Sequence, residues 1–496
     1  MAAELTTRTM RQKARTVITT DGEVDDQDSF IRALLYANDM DIAGIVLTSS
    51  VFHYAGDEAR GIVPYRWTGS TWPLEFIDAY AQVYPNLAQH DPAYPTPDYL
   101  RSVYKVGNVS YKGEMSQVTE GSRFLEQLFL DDDPRTLYVQ TWGGTNTTAR
   151  ALKSIEERYA GTPEWGAVQA KVYGKLVLYI ILDQDESYAN YIAPHWPNLQ
   201  VLVDASSFWH FAYLWKQHPA PLIKSLGAAW HRQNVLGDHG PLMARYALMG
   251  DGKTMPGELD DEQRGWDAYL AANPGYQRYD FISEGDSPSF FYLLQPGLRA
   301  LEDPTFGGWG GRFGADHKNT VGDYDPYTGR YEASYTLMRW VDDIQADFAA
   351  RVDWCTAERF QDANHAPSVQ VLEGIDVTAA PGQRVTLTAR GDDPDGDALS
   401  YRWWRYFEAD TYANGHDPVQ LHDDVHAATG FLIDRSADAP AGKQDALVLE
   451  DANKPQVSFV VPADAQPGDT IHLIAQVQDD GAHGLKGYQR VVITAR

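Results

Sequence analysis

The sequence predicts an α/β domain built on a mostly parallel sheet, followed by an all-β sandwich of immunoglobulin or cadherin type. Three observations carry this. From about Thr16 to Trp354, apolar strand-like runs alternate with amphipathic helical stretches. The first strand, helix and strand close within roughly 35 residues, the length of a βαβ unit with a right-handed crossover. After Gln361-Asp-Ala-Asn-His-Ala-Pro the helical period disappears and short alternating runs take over, separated by Gly, Asp and Pro.

Thr16-Val-Ile-Thr-Thr reads as a buried strand. The next stretch, Ser29 to Asn38, sets Phe30, Ile31, Leu34 and Leu35 at helical spacing, and Ile42-Ala-Gly-Ile-Val-Leu-Thr is the second strand. Thr136-Leu-Tyr-Val-Gln-Thr, Lys175-Leu-Val-Leu-Tyr-Ile-Ile-Leu and Gln200-Val-Leu-Val are further strands, with a helix over Thr147–Arg158. In the second region the strands begin at Arg384, Leu399, Val457, Thr470 and Tyr488. These readings divide the chain into domains 1–365 and 366–496, and there is no internal repeat or low-complexity tract.

The 496 residues suffice for several domains, and 43% hydrophobic with 22% charged residues allows a large packed core. Lys and Arg number 41 against 69 Asp and Glu, a net charge of −28, which argues against nucleic acid and anionic membranes as partners. The charge suits neutral ligands or bound cations, and self-association into a homo-oligomer is compatible with it. No run approaches the ~18 apolar residues of a membrane span, so no membrane insertion is expected. Cys355 is the single cysteine, which excludes an internal disulfide or a cysteine metal cluster. The start, Met1-Ala-Ala-Glu-Leu-Thr-Thr-Arg, lacks the apolar core of a secretory signal. The 14 Trp and 29 Tyr suit the stacking of sugar rings, as they also suit cores and sandwiches.

The segment Thr19-Thr-Asp-Gly-Glu-Val-Asp-Asp-Gln-Asp-Ser-Phe places Asp21, Asp25, Asp26 and Asp28 between the end of the first strand and the next helix. Ligands of open α/β sheets bind at the carboxyl ends of strands. Crowded carboxylates there raise one another's pKa unless a cation sits among them. Oxygen donors without His or Cys select Ca²⁺, with Mg²⁺ second. The competing reading is an acidic first turn that caps the helix and complements its dipole.

Asp21, three residues, then Asp25-Asp26 after the first strand resembles the signature of the nucleoside hydrolase family. Thr141-Trp-Gly-Gly-Thr-Asn resembles that family's Thr-Gly-Pro-Leu-Thr-Asn turn, and Glu284-Gly-Asp-Ser-Pro-Ser-Phe resembles its late metal-binding segment. The resemblance implies a Rossmann-like sheet and a Ca²⁺ held by Asp21, Asp25, Asp26, Asp286 and the Thr141 carbonyl. It implies too that Asp21 serves as general base. Ile77-Asp-Ala-Tyr-Ala-Gln-Val-Tyr-Pro-Asn-Leu, Asp183-Gln-Asp, Gly237-Asp-His-Gly-Pro-Leu and Gly307-Gly-Trp-Gly-Gly-Arg-Phe bring the chain closer to a divergent branch. Those relatives are labelled domains of unknown function or cellulose-binding proteins and carry a C-terminal β-sandwich; the resemblance implies a periplasmic or secreted protein, and a cytoplasmic one stays open.

The chain departs from nucleoside hydrolases where they grip ribose and base. No Glu-Phe-Asn segment is found near Ile180-Ile-Leu-Asp-Gln-Asp-Glu-Ser, the early Gly-Asn turn is replaced around Ser49-Ser50, and Gly285 stands where many of those enzymes have a His. The expectation is therefore a calcium-dependent glycoside hydrolase acting on a glycan or oligosaccharide, furanosidic ones included, by inverting attack of activated water. A nucleoside N-ribohydrolase of unusual specificity and a non-catalytic carbohydrate-binding protein are the alternatives. Asp185 and His239 are the expected general acids; Trp142, Asn146, Asp183, Glu284, Trp309 and Arg312 are the expected substrate contacts, the last two from a glycine-rich loop. Each has a structural counterpart reading: a strand-end cap for Asp185, a hydrogen-bonded turn for His239, a plug for Trp142 and a tight crossing for the glycine-rich segment. The acidic turn Gly391-Asp-Asp-Pro-Asp-Gly-Asp is read as a hairpin loop in preference to a Ca²⁺ turn, and one of Trp403-Trp404 is expected in the sandwich core.

Overall fold

The computed structural model describes residues 13–414, 436–438 and 447–496. The described chain packs as two compact units, Lys13–Gln217 with Lys224–Phe290, and His218–Ile223 with Phe291–Arg496.

In the first unit, β1 (Ala14–Thr20), α1 (Val24–Leu35) and β2 (Met40–Leu47) form the expected βαβ unit. There follow α2 (Trp72–His90), α3 (Pro97–Ser102), β3 (Tyr104–Val106), α4 (Glu120–Leu130), β4 (Leu137–Thr141), α5 (Asn146–Tyr159), α6 (Trp165–Lys175), β5 (Leu176–Ile181) and β6 (Gln200–Asp204). The six strands are all parallel, in the order β3-β2-β1-β4-β5-β6. The order reverses between β1 and β4, so the loops leaving these two strands part to opposite faces and open a crevice at their carboxyl ends. One face of the sheet is covered by Leu125, Phe129, Leu152 and Ile155 of α4 and α5, which bury Val17, Val139 and Leu178.

The helix expected from Ser29 starts earlier, at Val24. Asp25, Asp26 and Asp28 therefore lie in its first turns and not in the preceding loop. Acidic residues favour that end through the helix dipole, so apolar spacing alone sets the start too late.

In the second unit, β11 (Arg384–Asp392) pairs antiparallel with β9 (Ser368–Val371) and β14 (Gln456–Val460). β12 (Ser400–Arg405), β15 (Thr470–Gln478) and β16 (Lys486–Ala495) form the antiparallel part of the facing sheet, and β10 (Asp376–Ala379) joins β16 in parallel. Alternating residues such as Val385, Leu387, Trp403, Val457, Phe459, Leu473 and Val491 fill the space between. Trp403 is the tryptophan in that core; Trp404 turns to Trp340, ring centroids 5.8 Å apart. A small third sheet joins β7 (Asp323–Asp325), β8 (Arg330–Glu332) and β13 (Ser436–Asp438). No helix among the described residues is long and apolar enough to cross a membrane.

Candidate functional site

The crevice at the ends of β1 and β4 holds the acidic residues. Asp25 and Asp26 on α1 and Asp286, far along the chain, bring one carboxylate oxygen each within 4.8 Å of the others. Asp21 adjoins them: its N–H donates to Asp26 Oδ1 (3.2 Å), an oxygen that also accepts from the Thr20 hydroxyl. Asp21 Oδ2, Asp25 Oδ1 and Asp286 Oδ2 are all buried and lack a hydrogen-bond partner. Thr141 ends β4 beside β1, where the next N–H, of Trp142, donates to Thr19 O (2.9 Å).

Among the described residues no lysine or arginine pairs with Asp21, Asp25, Asp26 or Asp286. Burial first, then the charges of Asp21 and Glu258, pushes Asp25 up to about 7. Burial and neighbouring carboxylates likewise hold Asp26 and Asp286 well above the usual carboxylate range. Buried, unpartnered and mutually repelling carboxylate oxygens fit a divalent cation, and the donors are hard oxygens throughout. Gly285 follows from the same crowding: a Cβ there would lie 2.6 Å from Asp25 Oδ2, so the histidine of nucleoside hydrolases has no room.

Around the carboxylates lies a polar wall that sequence reading missed. The connection from β2 to α2 contributes His53, Arg66 and Thr68, and the first residue of α2 contributes Trp72. His53 is fully buried, its Nδ1 4.0 Å from Asp21 Oδ2 and 3.8 Å from Glu23 Oε2, and neither ring nitrogen has a hydrogen-bond partner. Burial lowers its pKa to about 4, so the ring is neutral. Thr68 Oγ1 and Trp72 Nε1 are also buried and unpartnered, and both flank Gly22 (φ 86°), between Asp21 and Glu23. Glu23 accepts from the Tyr213 hydroxyl (3.0 Å), and burial, with the charges of Asp25 and Asp21, pushes it up to about 8. Arg66 pairs with Glu258 (2.5 Å) and Glu262 (2.8 Å), and the Arg264 guanidinium lies 4.6 Å over the Tyr213 ring. A signal for this wall existed: parallel strands end on one side, so the residues after β2 must flank those after β1.

Several expected site residues have other work. Asp185 accepts from the Asn146 N–H (2.9 Å), the Ser187 N–H (3.0 Å) and the Thr145 hydroxyl (3.2 Å). Both its oxygens thus hold the start of α5, which removes it as a proton donor to substrate. Asp183 accepts from the N–H groups of Tyr188 (3.2 Å) and Ala189 (2.9 Å) and fixes the next turn. The Asn146 amide donates to Ser49 Oγ (2.9 Å) and to the carbonyls of Asn108 (2.9 Å) and Glu114 (3.0 Å), and Asn146 Oδ1 accepts from Thr48 (2.5 Å). It knits loops together and has no group left for a sugar.

Glu284 is fully buried in an ion pair with Arg32 and accepts from Tyr246 and Ser287, so it too is structural. Trp142 is 1% exposed with Nε1 on Ser289 Oγ (2.8 Å), a plug beneath the crevice and not a stacking platform. His239 stands at the N-cap position of the short helix Gly240–Met243 without a side-chain cap hydrogen bond, and that helix packs on α2. Trp309 and Arg312 belong to the second unit. There Gly308 and Gly311 exchange backbone hydrogen bonds, Trp309 is 5% exposed and the Arg312 guanidinium binds Asp323 (2.7 Å) and Gly322 O (2.8 Å). The glycine-rich segment is a tight structural crossing; its arginine is already paired.

A parallel sheet in this order with buried acids at its switch point defines a nucleoside hydrolase-like α/β protein joined to a β-sandwich. The model of the cellulose-binding Sde182, nucleoside hydrolase-like domain matches residues 15–313, and that of the cellulose-binding protein Sde0182, C-terminal domain matches residues 384–495. The chain belongs to the cellulose-binding Sde182 family.

A solved nucleoside hydrolase-related hypothetical protein from Saccharophagus degradans, described as associated with carbohydrate metabolism, shares the fold at 24% identity and TM-score 0.67, with 98% of this chain and 100% of that chain covered. The effector protein XOO4466 aligns at 12% identity over 58% of this chain and 83% of its own, TM-score 0.29, too remote to carry an inference. No curated protein sequence matches the chain.

Proposed function

We propose that the chain is a calcium-dependent glycoside hydrolase that cleaves a neutral glycan or oligosaccharide. The observation that carries this reading is the set of buried, unpartnered oxygens on Asp21, Asp25 and Asp286. Asp25, Asp26, Asp286 and Thr141 would hold the ion, with Asp21 beside them. When bound, Ca²⁺ supplies Lewis acidity and orients oxygen ligands.

The chain's own residues account for the rest. Asp21 Oδ2 accepts the proton of the attacking water. The water oxygen bonds to the anomeric carbon as the glycosidic C–O bond breaks, and attack from one side inverts the configuration. The leaving oxygen takes a proton from Glu23, which keeps contact with solvent, with 19% of its side chain exposed. Neutral His53, Thr68 and Trp72 Nε1–H offer hydrogen bonds to sugar hydroxyls. Arginines already paired with Glu258 and Glu262 leave the wall without a spare positive charge for an acidic sugar.

The family's cellulose-binding description favours a second reading, a carbohydrate binder without turnover. Incubation with polysaccharide fragments, aryl glycosides and inosine, with and without chelator, separates the readings. Calcium-dependent sugar release supports the proposal, nucleobase release replaces it with an N-ribohydrolase, and binding without release replaces it with a binder.

A further inference from the structure

The β11–β12 turn, Asp393-Pro394-Asp395-Gly396-Asp397, carries three carboxylates with an oxygen each within 4.8 Å of the others. Asp393 Oδ1 accepts the N–H groups of Asp395 (2.9 Å) and Asp397 (3.0 Å), and its Oδ2 is left buried and unpartnered. Acidic turns with such internal bonds are common, and by itself this one would mean little.

The second observation lies on another segment. Asn364, just before β9, is 7% exposed. Its amide hydrogens go to Ala482 O (2.7 Å) and Asp479 Oδ2 (3.2 Å), which fixes the orientation of the amide and leaves Oδ1 buried without a partner. Gly481 places this amide beside the turn: a Cβ there would lie 2.7 Å from both Oδ1 and Nδ2 of Asn364 and collide with Asp397 Oδ2. Asp480 Oδ1 accepts from the Ala398 N–H (2.8 Å), which ties the β15–β16 turn to the same place. No lysine or arginine among the described residues pairs with Asp393, Asp397, Asp479 or Asp480, and Asp395 is met by His365 (3.0 Å).

We propose that Asp393, Asp397 and Asn364, flanked by Asp395 and Asp479, form a calcium site of the sandwich unit. Its hard, all-oxygen donors suit Ca²⁺. The ion would join three segments far apart in sequence: the entry to β9, the β11–β12 turn and the β15–β16 turn. The site uses none of the residues after β1 and stands whether or not the chain turns over a glycan.

Calorimetric titration of the chelator-stripped full chain with CaCl₂ tests it. Wild type is expected to bind at two independent sites. Asp397→Asn should weaken one of them by about 10–100-fold or more and spare the other, which Asp286→Asn should remove. An Asp397→Asn chain that titrates as wild type overturns the proposal, as does a wild type whose calcium binding disappears entirely with Asp286→Asn. A readout on the unaltered sandwich ligands guards against misfolding. Trp354 Nε1 donates to the Asn364 carbonyl (2.9 Å), so in the Asp286→Asn chain tryptophan-sensitised Tb³⁺ emission should fall sharply with Trp354→Phe. Emission unchanged by that substitution also overturns the site.

Discussion

Asp21 and Glu23 stand on either side of one glycine in different surroundings, and the proposed mechanism gives them opposite tasks. Asp21 is 1% exposed with a bare oxygen beside the carboxylates of Asp25, Asp26 and Asp286; Glu23 keeps contact with solvent and accepts from Tyr213. Asp21→Asn should lower turnover by at least about 10²–10⁴-fold with calcium affinity largely kept. Glu23→Gln should cost a similar factor on sugars with poor leaving groups and much less on nitrophenyl glycosides, whose leaving oxygen needs no proton; equal losses on both would remove Glu23 as the acid. Protonation also links the site to stability. Carboxyls raised by folding, Asp25 to about 7 and Glu23 to about 8, stabilise the native state only while protonated. The cation-free protein therefore keeps their contribution below about pH 4 and loses it as pH rises through 7 and 8. The rise in melting temperature on adding calcium should accordingly grow between pH 4 and 8, and a calcium increment independent of pH would contradict this. Asp21, Asp25 and Asp26 were legible because residue type and spacing carry the chemistry, whereas Glu23 was not singled out among them. His53, Thr68 and Trp72 were not, because nothing in their own segment is unusual until β2 is laid beside β1.

At the scale of elements, β1, β2, β4, β5 and β6 of the parallel sheet and β11, β12, β14, β15 and β16 of the sandwich followed from buried runs and alternation, while the short strands β3, β9 and β10 did not. The start of α1 did not, since helix dipole and site chemistry outweigh apolar spacing there. Four of the expected site residues, Asn146, Asp183, Asp185 and Glu284, are engaged in structural bonds, because polar residues at strand ends also fasten loops. Asn146, Asp183 and Asp185 fasten the turns around α5, and Glu284 fastens α1 to the Asp286 segment through Arg32. Arg32→Met would leave the Glu284 carboxylate buried without its partner, and should destabilise the fold by about 3–5 kcal/mol. Chemical denaturation checks this; a loss under 1 kcal/mol would show that the pair does not hold these elements together.

Over the whole molecule, the net charge of −28 gathers in part into two buried or half-buried carboxylate clusters, one in each unit. Among the described residues neither has a lysine or arginine paired with it, and the acidic excess behind that shortage is visible in the composition. What composition could not give is which acids converge, because Asp286 reaches Asp25 only through the fold. The most direct test is hydrolysis of plant, algal and bacterial polysaccharide fragments, followed by NMR of the anomeric protons. Three samples suffice: chelator-stripped protein, the same protein with calcium restored, and calcium-loaded Asp21→Asn. Sugar should be released by the calcium-restored wild type alone, with inverted configuration. Release by the stripped protein or by the Asp21→Asn chain would contradict the mechanism, and fragments bound by every sample but cut by none would contradict catalysis itself.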